Sequence, residues 1–292
     1  MHFHEYLMQK NSVLISIIMP LFNAEKYLQS ALDQLKQQSF SSYEVLLLDA
    51  LSSDNTAAIA KQMMEKSDCI RWFSQADEGI YDAMNFGIKQ AKGDWVYFMG
   101  CDDSFHHAEV LNEVAIYLKP DADIVYGNVQ WVPDGQVEEG ICTPQVLFLR
   151  NINHQRIFYR RSLFEQYGGY QLQFKIASDH ELNIRFFCNE KIRKEYIPVT
   201  IANYHAGGFS ANKIDEVFWV QWKSIFKTNF SKHMPLKRMY EKLGWYCRYL
   251  IEQKQYARAL PLFCDVLIHT LSPGFVLLTG KHLIQSLKKN AG

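Results

Sequence analysis

The sequence predicts an α/β fold with a mainly parallel sheet flanked by helices. Two continuous apolar runs, LISIIMP at 14–20 and YEVLLLD at 43–49, have the composition of strands covered on both faces. Two further strand-like runs, IRWFS at 70–74 and DWVYFMG at 94–100, follow along the chain. Helical segments separate the four runs, and this alternation of strand and helix is typical of a parallel sheet.

The helices are predicted from apolar periodicity and from polar residues at their starts. AEKYLQSALDQLKQQ at 24–38 places its apolar side chains on one helical stripe. The polar residues SSDN at 52–55 precede a second helix, and GIYDAMNFGIKQAKG at 79–93 forms a third. These three helices fill the three connections between the predicted strands.

The pattern becomes mixed after residue 123. DIVYGNVQWV at 123–132 is a predicted strand that ends in a PDG turn, and HQRIFYR at 154–160 is a shorter strand-like piece. SDHELNIRFFCNE is a predicted helix with Ser178 as its N-cap and Asp179 in its first turn.

Charge divides the chain into two regions. Residues 1–140 hold 21 Asp and Glu against 9 Lys and Arg, whereas residues 141–292 hold 10 against 22, although the net charge is zero. We expect an α/β domain over residues 1–211 and a helical, basic C-terminal region over residues 212–292. An acidic half suits metal ions and sugar hydroxyls, and a basic half suits phosphates or an anionic lipid surface. Packing of the two halves against each other would also explain the asymmetry.

Cysteine spacing and the two ends of the sequence argue against a disulfide-rich, zinc-binding, secreted or membrane-spanning protein. The 6 cysteines are scattered without a CxxC pair, which predicts neither a disulfide framework nor a zinc site. The N-terminus lacks a basic segment followed by an apolar one, so no signal peptide is expected. Asp265, His269 and Pro273 interrupt the apolar region near the end, which argues against a membrane-spanning helix. The expected location is the cytoplasm.

Polar side chains stand where the predicted strands end. Asn23, Asp49, Asp77 and the adjacent pair Asp102 and Asp103 follow the four strands of the first half. Ligands of open α/β sheets lie beyond the carboxyl ends of the strands, so these side chains are expected to converge on one site. The chain has no GxGxxG and no GxxxxGK[ST] motif, so neither dinucleotide nor P-loop chemistry is indicated.

The adjacent carboxylates of Asp102 and Asp103 predict a cation. Two like charges a few ångströms apart cost roughly 4 kcal/mol at an effective dielectric of about 20. Successive side chains of an extended segment point to opposite faces, so the two residues are not expected to bind one ion equally. A hard divalent ion held by one or two carboxylates and by substrate phosphates is the expected arrangement.

Four blocks, taken in order, resemble a known family. The blocks are SIIMPLFNAEKYLQSALDQLKQQ, EVLLLDALSSDNT, DEGIYDAMNFGIKQAKGDWVYFMGCDD and SDHE. Together they resemble the inverting nucleotide-sugar glycosyltransferases of family 2, which have the Rossmann-like GT-A fold, over residues 13 to about 210. The third block is most similar to bacterial enzymes that assemble lipid-linked oligosaccharides for O-antigen or capsule. The last third of the chain carries no such motif.

The resemblance implies a nucleotide-sugar site along the first strand ends. It places Asp49 on the nucleobase, the segment after the first strand along base and ribose, and the donor's sugar and diphosphate beside the third helix. The residues implied in donor binding are Pro20, Phe22, Asn23, Glu25, Asp49, Asp77, Tyr81, Asp82, Asn85 and Asp102. LDALSSDNT differs from the family's VDDGSxDxT, with Ala50 in place of the second Asp and Leu51 in place of the Gly. The resemblance favours a UDP-sugar as the donor.

The resemblance also implies a bound Mn²⁺ or Mg²⁺. The family's metal motif LDSDD appears as MGCDD, with Gly100 in place of the first carboxylate. Asp103 is the implied metal ligand and Asp102 the implied partner of the ribose hydroxyls. His205 could reach the metal or the diphosphate from a loop that closes over the donor. The cation would stabilise the departing nucleoside diphosphate as a Lewis acid.

Inverting transfer needs a general base for the acceptor hydroxyl. Asp179 matches the catalytic aspartate of the family, and a helix N-terminus keeps a carboxylate ionised. His180 is its rival, because imidazole titrates near neutral pH. Adjacent helical residues point about 100° apart, so only one of the two can face the acceptor. For His154, a contact with the ligand and a structural role both stay open.

The implied activity is transfer of a hexosyl or N-acetylhexosaminyl group to a saccharide hydroxyl of a lipid-diphosphate-linked oligosaccharide. A nucleotidyltransferase and a non-catalytic nucleotide- or carbohydrate-binding module are the alternatives. Residues 235–292 carry nine Lys and Arg against three Asp and Glu, which predicts peripheral binding to the anionic inner face of the cytoplasmic membrane. Helical packing on the catalytic domain or a homo-oligomer contact would also explain this region, and nucleic acid is not an expected partner.

Overall fold

The computed structural model describes residues 13–205 and 213–270, which belong to two compact units, residues 1–214 and residues 215–292. The first unit is an α/β domain built on one nine-stranded sheet. In the second unit, the described residues form helices and short connections. The expected domain boundary after residue 211 lies outside the described residues.

The strands and helices of the first unit are numbered in chain order. The strands are β1 Ile15–Leu21, β2 Tyr43–Asp49, β3 Ile70–Ser74, β4 Trp95–Phe98, β5 Ser104–Phe105, β6 Ile124–Val132, β7 Val137–Glu138, β8 Ile157–Arg160 and β9 Lys194–His205. The helices are α1 Leu28–Lys36, α2 Thr56–Glu65, α3 Ile80–Gln90, α4 Val110–Ala115, α5 Pro144–Leu149, α6 Ser162–Tyr167 and α7 Ser178–Phe187, with a 3₁₀ turn at His154–Arg156.

The sheet has the order β3-β2-β1-β4-β8-β6-β9-β5, and β7 pairs with β6. β1 is parallel to both β2 and β4, and β2 is parallel to β3, so the carboxyl ends of these four strands share one edge. β8 is antiparallel to β4 and to β6, and its amino end therefore lies beside the carboxyl end of β4. The predicted α/β class with a mainly parallel sheet is confirmed.

Close packing fixes α3 over the strand ends. A Cβ atom on Gly87 would lie 2.6 Å from Ile18 Cγ2 and 2.7 Å from Leu48 Cδ1, so glycine lets this helix lie directly on β1 and β2. Every residue of β2 is buried, as its continuous apolar run predicts. This close approach fixes the distance between α3 and the two strands beneath it.

Several boundaries differ from the sequence predictions. α1 begins at Leu28, and residues 24–27 form the turn that leads into it. The predicted N-cap role of Ser178 is wrong: the cap position is Ala177, and the backbone is already helical at Ser178. The Ser178 hydroxyl is buried and has no hydrogen-bond partner in the described part of the chain, so it satisfies no backbone group at the helix start.

The second unit contains α8 Glu216–Val220, α9 Trp222–Asn229, α10 Leu236–Glu252 and α11 Tyr256–Thr270. α10 packs against α11, and aromatic rings fill the unit: Trp219 stacks on Tyr246 with their ring centroids 5.2 Å apart. Within residues 13–205 and 213–270, no helix combines the length and the apolar character that crossing a membrane requires.

Candidate active site

A cavity of about 290 Å³ opens in the first unit at the carboxyl end of β4. The first turns of α3 and α7, the turn after β4, the 3₁₀ turn and the ends of β6 and β9 form its walls. Its ionisable and amide side chains are Asp102, Asp103, Glu138, Asn151, Asn153, His154, Gln155, Asp179 and His205. Its aromatic side chains are Tyr81, Trp131, Tyr170 and Tyr204.

The acidic pair lies in a turn. The backbone N of Asp103 donates to the carbonyl of Gly100 at 3.3 Å, so the dipeptide is not extended. A Cβ atom on Gly100 would lie 2.6 Å from Asp103 Oδ2 and 2.8 Å from Asp102 Oδ1. The prediction that the two side chains point to opposite faces is therefore wrong, because the turn brings one oxygen of each carboxylate over Gly100.

Asp103 is held by two segments that are distant in sequence. Its Oδ1 accepts a hydrogen bond from the backbone N of His205 at 2.9 Å, and its Oδ2 accepts from Gln155 Nε2. The side chain is only 5% exposed. Burial raises the pKa of Asp103 to about 6; the neighbouring Asp102 adds to this rise, and the hydrogen bonds from His205 and Gln155 oppose it.

Asp179 faces the same cavity from the start of α7. Its Oδ1 accepts from the Tyr81 hydroxyl at 3.1 Å and from the backbone N of His180 at 2.8 Å, and its Oδ2 accepts from Asn151 Nδ2 at 2.8 Å. Burial raises the pKa of Asp179, and nearby His154 and these hydrogen bonds oppose the rise. The expected effect of the helix N-terminus is thus outweighed by desolvation. A raised pKa makes this carboxylate a stronger base.

The two histidines near Asp179 have different positions. His180 Nε2 lies 2.9 Å from the carbonyl of Leu147, and His180 is not among the side chains that line the cavity within the described residues. His154 does line the cavity, and burial lowers its pKa, with Asp179 and Asp102 opposing this effect. Of the two rivals for the base, Asp179 is therefore the one that the structure places in the cavity.

The loops after β1 and β2 are joined by hydrogen bonds. Asn23 donates its backbone N–H to Ser52 Oγ at 2.9 Å, and its Oδ1 accepts from the backbone N of Ser53 at 3.0 Å. Glu25 Oε2 accepts from the backbone N of Asn55 at 2.9 Å. Two of the predicted donor-binding residues, Asn23 and Glu25, thus hold the two loops together at the edge of the sheet.

Asp49 ends β2 and is only 2% exposed. Its Oδ1 accepts from the backbone N of Ser52 at 3.0 Å and its Oδ2 from the Ser74 hydroxyl at 2.8 Å. A carboxylate has about four lone-pair sites, so its predicted contact with a base would use those that remain. Phe22 and Leu51 are 69% and 58% exposed, and Leu51 has a φ of 54°, a conformation for which glycine is better suited.

Asp77 and Asp82 fix the turn before α3. Asp77 Oδ1 accepts from the backbone N of Gly79 at 2.9 Å, and Asp82 Oδ2 accepts from the backbone N of Glu78 at 3.1 Å. Asp77 belongs to the connection between β3 and α3, and Asp82 belongs to the first turn of α3. Among the described residues that line the cavity, neither of them is present.

Asn85 and Pro20 also lie outside the described lining of this cavity. The amide of Asn85 donates to the carbonyl of Tyr170 and accepts from its backbone N, each at 2.9 Å. Pro20 belongs to β1, opposite Leu48 of β2. The observed role of Asn85 is to hold the segment before α7, and its contact with a donor stays a prediction.

The oxygen-rich site fits a hard divalent cation. Asp102 and Asp103 present carboxylate oxygens over Gly100, and the Nδ1 of His205 is 3.8 Å from Asp103 Oδ1. Within the described residues no group of three His, Cys, Asp or Glu side chains has the arrangement of a complete metal site. A cation held by one or two carboxylates together with substrate phosphates needs no such complete set.

Sequence reasoning missed the amides of Asn151 and Gln155 and the aromatic pair Trp131 and Tyr204, whose ring centroids are 4.9 Å apart. One signal could have found the amides. The polar run NINHQ precedes β8, and the amino end of an antiparallel strand meets the carboxyl end of its parallel neighbours. The aromatic pair depends on the pairing of β6 with β9, which no local pattern shows.

Comparison with known proteins decides the family. The sequence profile described as "Glycosyl transferase family 2" matches residues 16–181. The chain belongs to glycosyl transferase family 2. This glycosyltransferase is 35% identical to the "PGL/p-HBAD biosynthesis glycosyltransferase" of Mycobacterium bovis (strain BCG / Pasteur 1173P2) over 216 residues, which cover 70% of this chain and 82% of the relative. It is 30% identical to an "Uncharacterized glycosyltransferase" of Haemophilus influenzae over 119 residues, 40% of this chain and 48% of that protein.

Solved structures of glycosyltransferases share the fold. S. aureus TarS 1-349 in complex with UDP-GlcNAc matches with a TM-score of 0.63 and 18% identity, over 80% of this chain and 81% of that one. The mannosyltransferase PcManGT from Pyrobaculum calidifontis, in complex with GDP-Man and Mn²⁺, matches with a TM-score of 0.55 and 15% identity, over 98% and 92%. The GT-A fold of this glycosyltransferase is thereby shown.

The raised pKa of Asp103 predicts a pH-dependent stability. Asp103 binds its proton more tightly in the folded than in the unfolded chain, so its contribution is present below pH 4 and is lost as the pH rises through about 6. Asp103→Asn removes this loss of stability, because an asparagine side chain does not ionise. The new amide can donate to Gln155 Oε1 if the Gln155 amide rotates. Above pH 6.5 the variant should be more stable than the native chain by on the order of 2 kcal/mol.

Urea unfolding between pH 4.5 and pH 8, with a chelator present, measures this difference. Asp121→Asn, at an exposed turn, is the control and should leave the pH dependence unchanged. Parallel stability curves for the native chain and Asp103→Asn would contradict the prediction.

Proposed function

We propose that this glycosyltransferase moves a sugar from a nucleotide-sugar donor to a saccharide hydroxyl with inversion at the anomeric carbon. One observation carries the proposal: Asp179 and the acidic pair Asp102 and Asp103 line the same cavity. A carboxylate that can take a proton thus faces the carboxylates expected at the donor diphosphate. A binding module without catalysis has no need for such a base.

The proposed reaction balances on the groups in the cavity. The acceptor hydroxyl oxygen attacks the anomeric carbon and forms the new glycosidic bond, while the bond from that carbon to the diphosphate oxygen breaks with its electron pair. The hydroxyl proton passes to Asp179. Because a hydroxyl is far less acidic than a carboxylic acid, this proton transfer runs late and concerted with the attack. Hydrogen bonds from Tyr81 and Asn151 orient the accepting carboxylate.

The donor is proposed to lie along the edge where β1, β2 and β4 end. Exposed Phe22 and Leu51 offer apolar surface for a base beside Asp49, and Asp102 is exposed at the other end for the ribose hydroxyls. A UDP-sugar is the favoured donor, and the TarS neighbour binds UDP-GlcNAc. The nucleotidyltransferase alternative is set aside, since the family transfers sugars.

Mn²⁺ or Mg²⁺ is the proposed cofactor. Asp103 would be its main ligand, with Asp102 and His205 beside it, and the PcManGT neighbour contains Mn²⁺. When bound, the cation would neutralise charge on the departing nucleoside diphosphate. Burial raises the pKa of Asp103, and Asp102 adds to this rise through a repulsion that a cation would relieve.

The proposed acceptor is a lipid-diphosphate-linked oligosaccharide used in cell-surface polysaccharide biosynthesis. Such an acceptor lies at a membrane surface, and the C-terminal region carries an excess of positive charge. We therefore propose peripheral association with the inner face of the cytoplasmic membrane. A homo-oligomer contact through the helical unit is the competing proposal for that region.

Asp179→Asn is expected to lower the rate of sugar transfer by at least about 100-fold, because the amide cannot take the proton. Donor affinity should stay near that of the native chain, since the amide keeps the shape of the carboxylate. Single-turnover transfer and calorimetric donor binding measure the two quantities. His180→Gln is the matched control and should keep its activity; the opposite pattern would make His180 the base.

A donor screen tests the proposed cofactor and substrate together. UDP, GDP, CDP and dTDP sugars with Mn²⁺ are each added in a thermal unfolding assay, and one class should raise the midpoint. At 100 times its dissociation constant a ligand stabilises by about 2.7 kcal/mol. A chelator should abolish the shift, and so should Gly100→Ala, whose Cβ would stand between the two carboxylates. Cys101→Ala is the control; a shift that survives both chelation and Gly100→Ala rules out the proposed cation site.

Flotation with vesicles tests the membrane proposal. Each basic residue close to an anionic surface contributes roughly 1 kcal/mol, so the full chain should bind anionic vesicles at low salt and be released at high salt. Neutral phosphatidylcholine vesicles are the control. If the protein does not bind anionic vesicles at low salt, this proposal is contradicted.

A further inference from the structure

Gln155 carries an unused acceptor oxygen inside the cavity. Its side chain is only 1% exposed and lines the cavity, and its Oε1 has no hydrogen-bond partner in the described part of the chain. Buried polar atoms are normally hydrogen-bonded, because leaving one unpaired costs the desolvation of that group. An exception on the wall of a binding cavity points to a donor that the ligand supplies.

The surrounding chain fixes the position of Gln155. Its backbone N donates to Asn153 Oδ1 at 2.8 Å, and its carbonyl accepts from the hydroxyl of Tyr97 at 2.8 Å. Its side-chain Nε2 donates to Asp103 Oδ2. The reverse orientation of the amide would set Oε1 against an ionised carboxylate oxygen, and both atoms can only accept. The orientation that leaves Oε1 free is therefore the one that Asp103 requires.

The matching ligand group is a hydrogen-bond donor, and most such groups of a hexose are hydroxyls. Two sources exist in the proposed complex, a hydroxyl of the transferred sugar and a water on the cation. The sugar is joined to the diphosphate at the acidic pair, and its anomeric carbon is attacked by an acceptor beside Asp179. Gln155 lines the same cavity as Asp103 and Asp179, so it borders the space that the transferred sugar must fill.

We propose that Gln155 is a specificity-determining residue whose Oε1 accepts a hydrogen bond from a hydroxyl of the transferred sugar, while its Nε2 positions Asp103. This inference rests on the proposed function. A buried acceptor of this kind discriminates against a sugar that lacks the hydroxyl, because the oxygen is then left unpaired. The amide thus connects recognition of the sugar to the carboxylate at the diphosphate.

The test compares binding with and without the sugar. Calorimetry with Mn²⁺ measures the affinities of UDP and UDP-GlcNAc, or of GDP and GDP-mannose if the native chain prefers guanine, for the native chain and for Gln155→Leu. Losing the hydrogen bond to Asp103 weakens both probes of a pair. Losing Oε1 weakens binding of the nucleotide sugar only. The affinity for the nucleotide sugar should therefore fall by about tenfold more than the affinity for the nucleoside diphosphate.

Gln38→Leu is the matched control. Gln38 is also buried, but both ends of its amide are used: Nε2 donates to the carbonyl of His107 at 2.8 Å and Oε1 accepts from the backbone N of Leu111 at 3.2 Å. This control should lose more stability in urea than Gln155→Leu and should bind both probes like the native chain. A purely structural Gln155 would behave like Gln38.

The outcomes separate the inference from the proposed function. If Gln155→Leu loses affinity equally for both probes, Gln155 Oε1 accepts from a water on the cation, and the sugar contact is overturned. If its affinity for both probes is unchanged, the inference as a whole is overturned. A native chain that binds the nucleotide sugar while Gln155→Leu shows no difference leaves the proposed function standing. If the native chain binds none of the probes, both the inference about Gln155 and the proposed function are contradicted.

Discussion

The site depends on one electrostatic constraint, the burial of Asp103 beside a second carboxylate. Taking a carboxyl group out of water disfavours its ionised form, and the pKa of about 6 records that cost. Two distant segments offset part of it, the end of β9 through the backbone of His205 and the 3₁₀ turn through Gln155. The order of the sheet makes this arrangement possible, because β8 stands antiparallel beside β4 and delivers the turn to the place where β4 ends.

The proposed function places the holding of the nucleotide and the chemistry of transfer on different segments of the domain. The loops after β1 and β2 are bound to each other through Asn23 and Glu25, and these hydrogen bonds fix the edge around Asp49 where the base is proposed to bind. The cavity proposed for the reaction is made instead from the starts of α3 and α7 and the turn before β8. Tyr81 of α3 holds the start of α7 in this cavity, because its hydroxyl lies 2.7 Å from the carbonyl of Ile176 and 3.1 Å from Asp179 Oδ1.

The sequence is a good guide wherever structure follows local pattern. Local pattern alone predicts the buried strands β1 and β2 and the apolar stripe of α1. The parallel arrangement of the strands then places the strand-end residues at one edge of the sheet. Asp102 and Asp103 were expected at opposite faces because an extended backbone was assumed, whereas a turn contains them. Desolvation of Asp179 and the contact of Gln155 with Asp103 arise from long-range packing, which periodicity does not encode.

Gly100 has a consequence for how this sequence can change. The space that a side chain would occupy there is already filled by oxygens of Asp102 and Asp103. A third carboxylate acquired by substitution at this position would therefore have to displace these oxygens, and Asp103 would have to shift from its hydrogen bonds with His205 and Gln155. Gaining a third carboxylate at this strand end thus means rearranging the two that are already there.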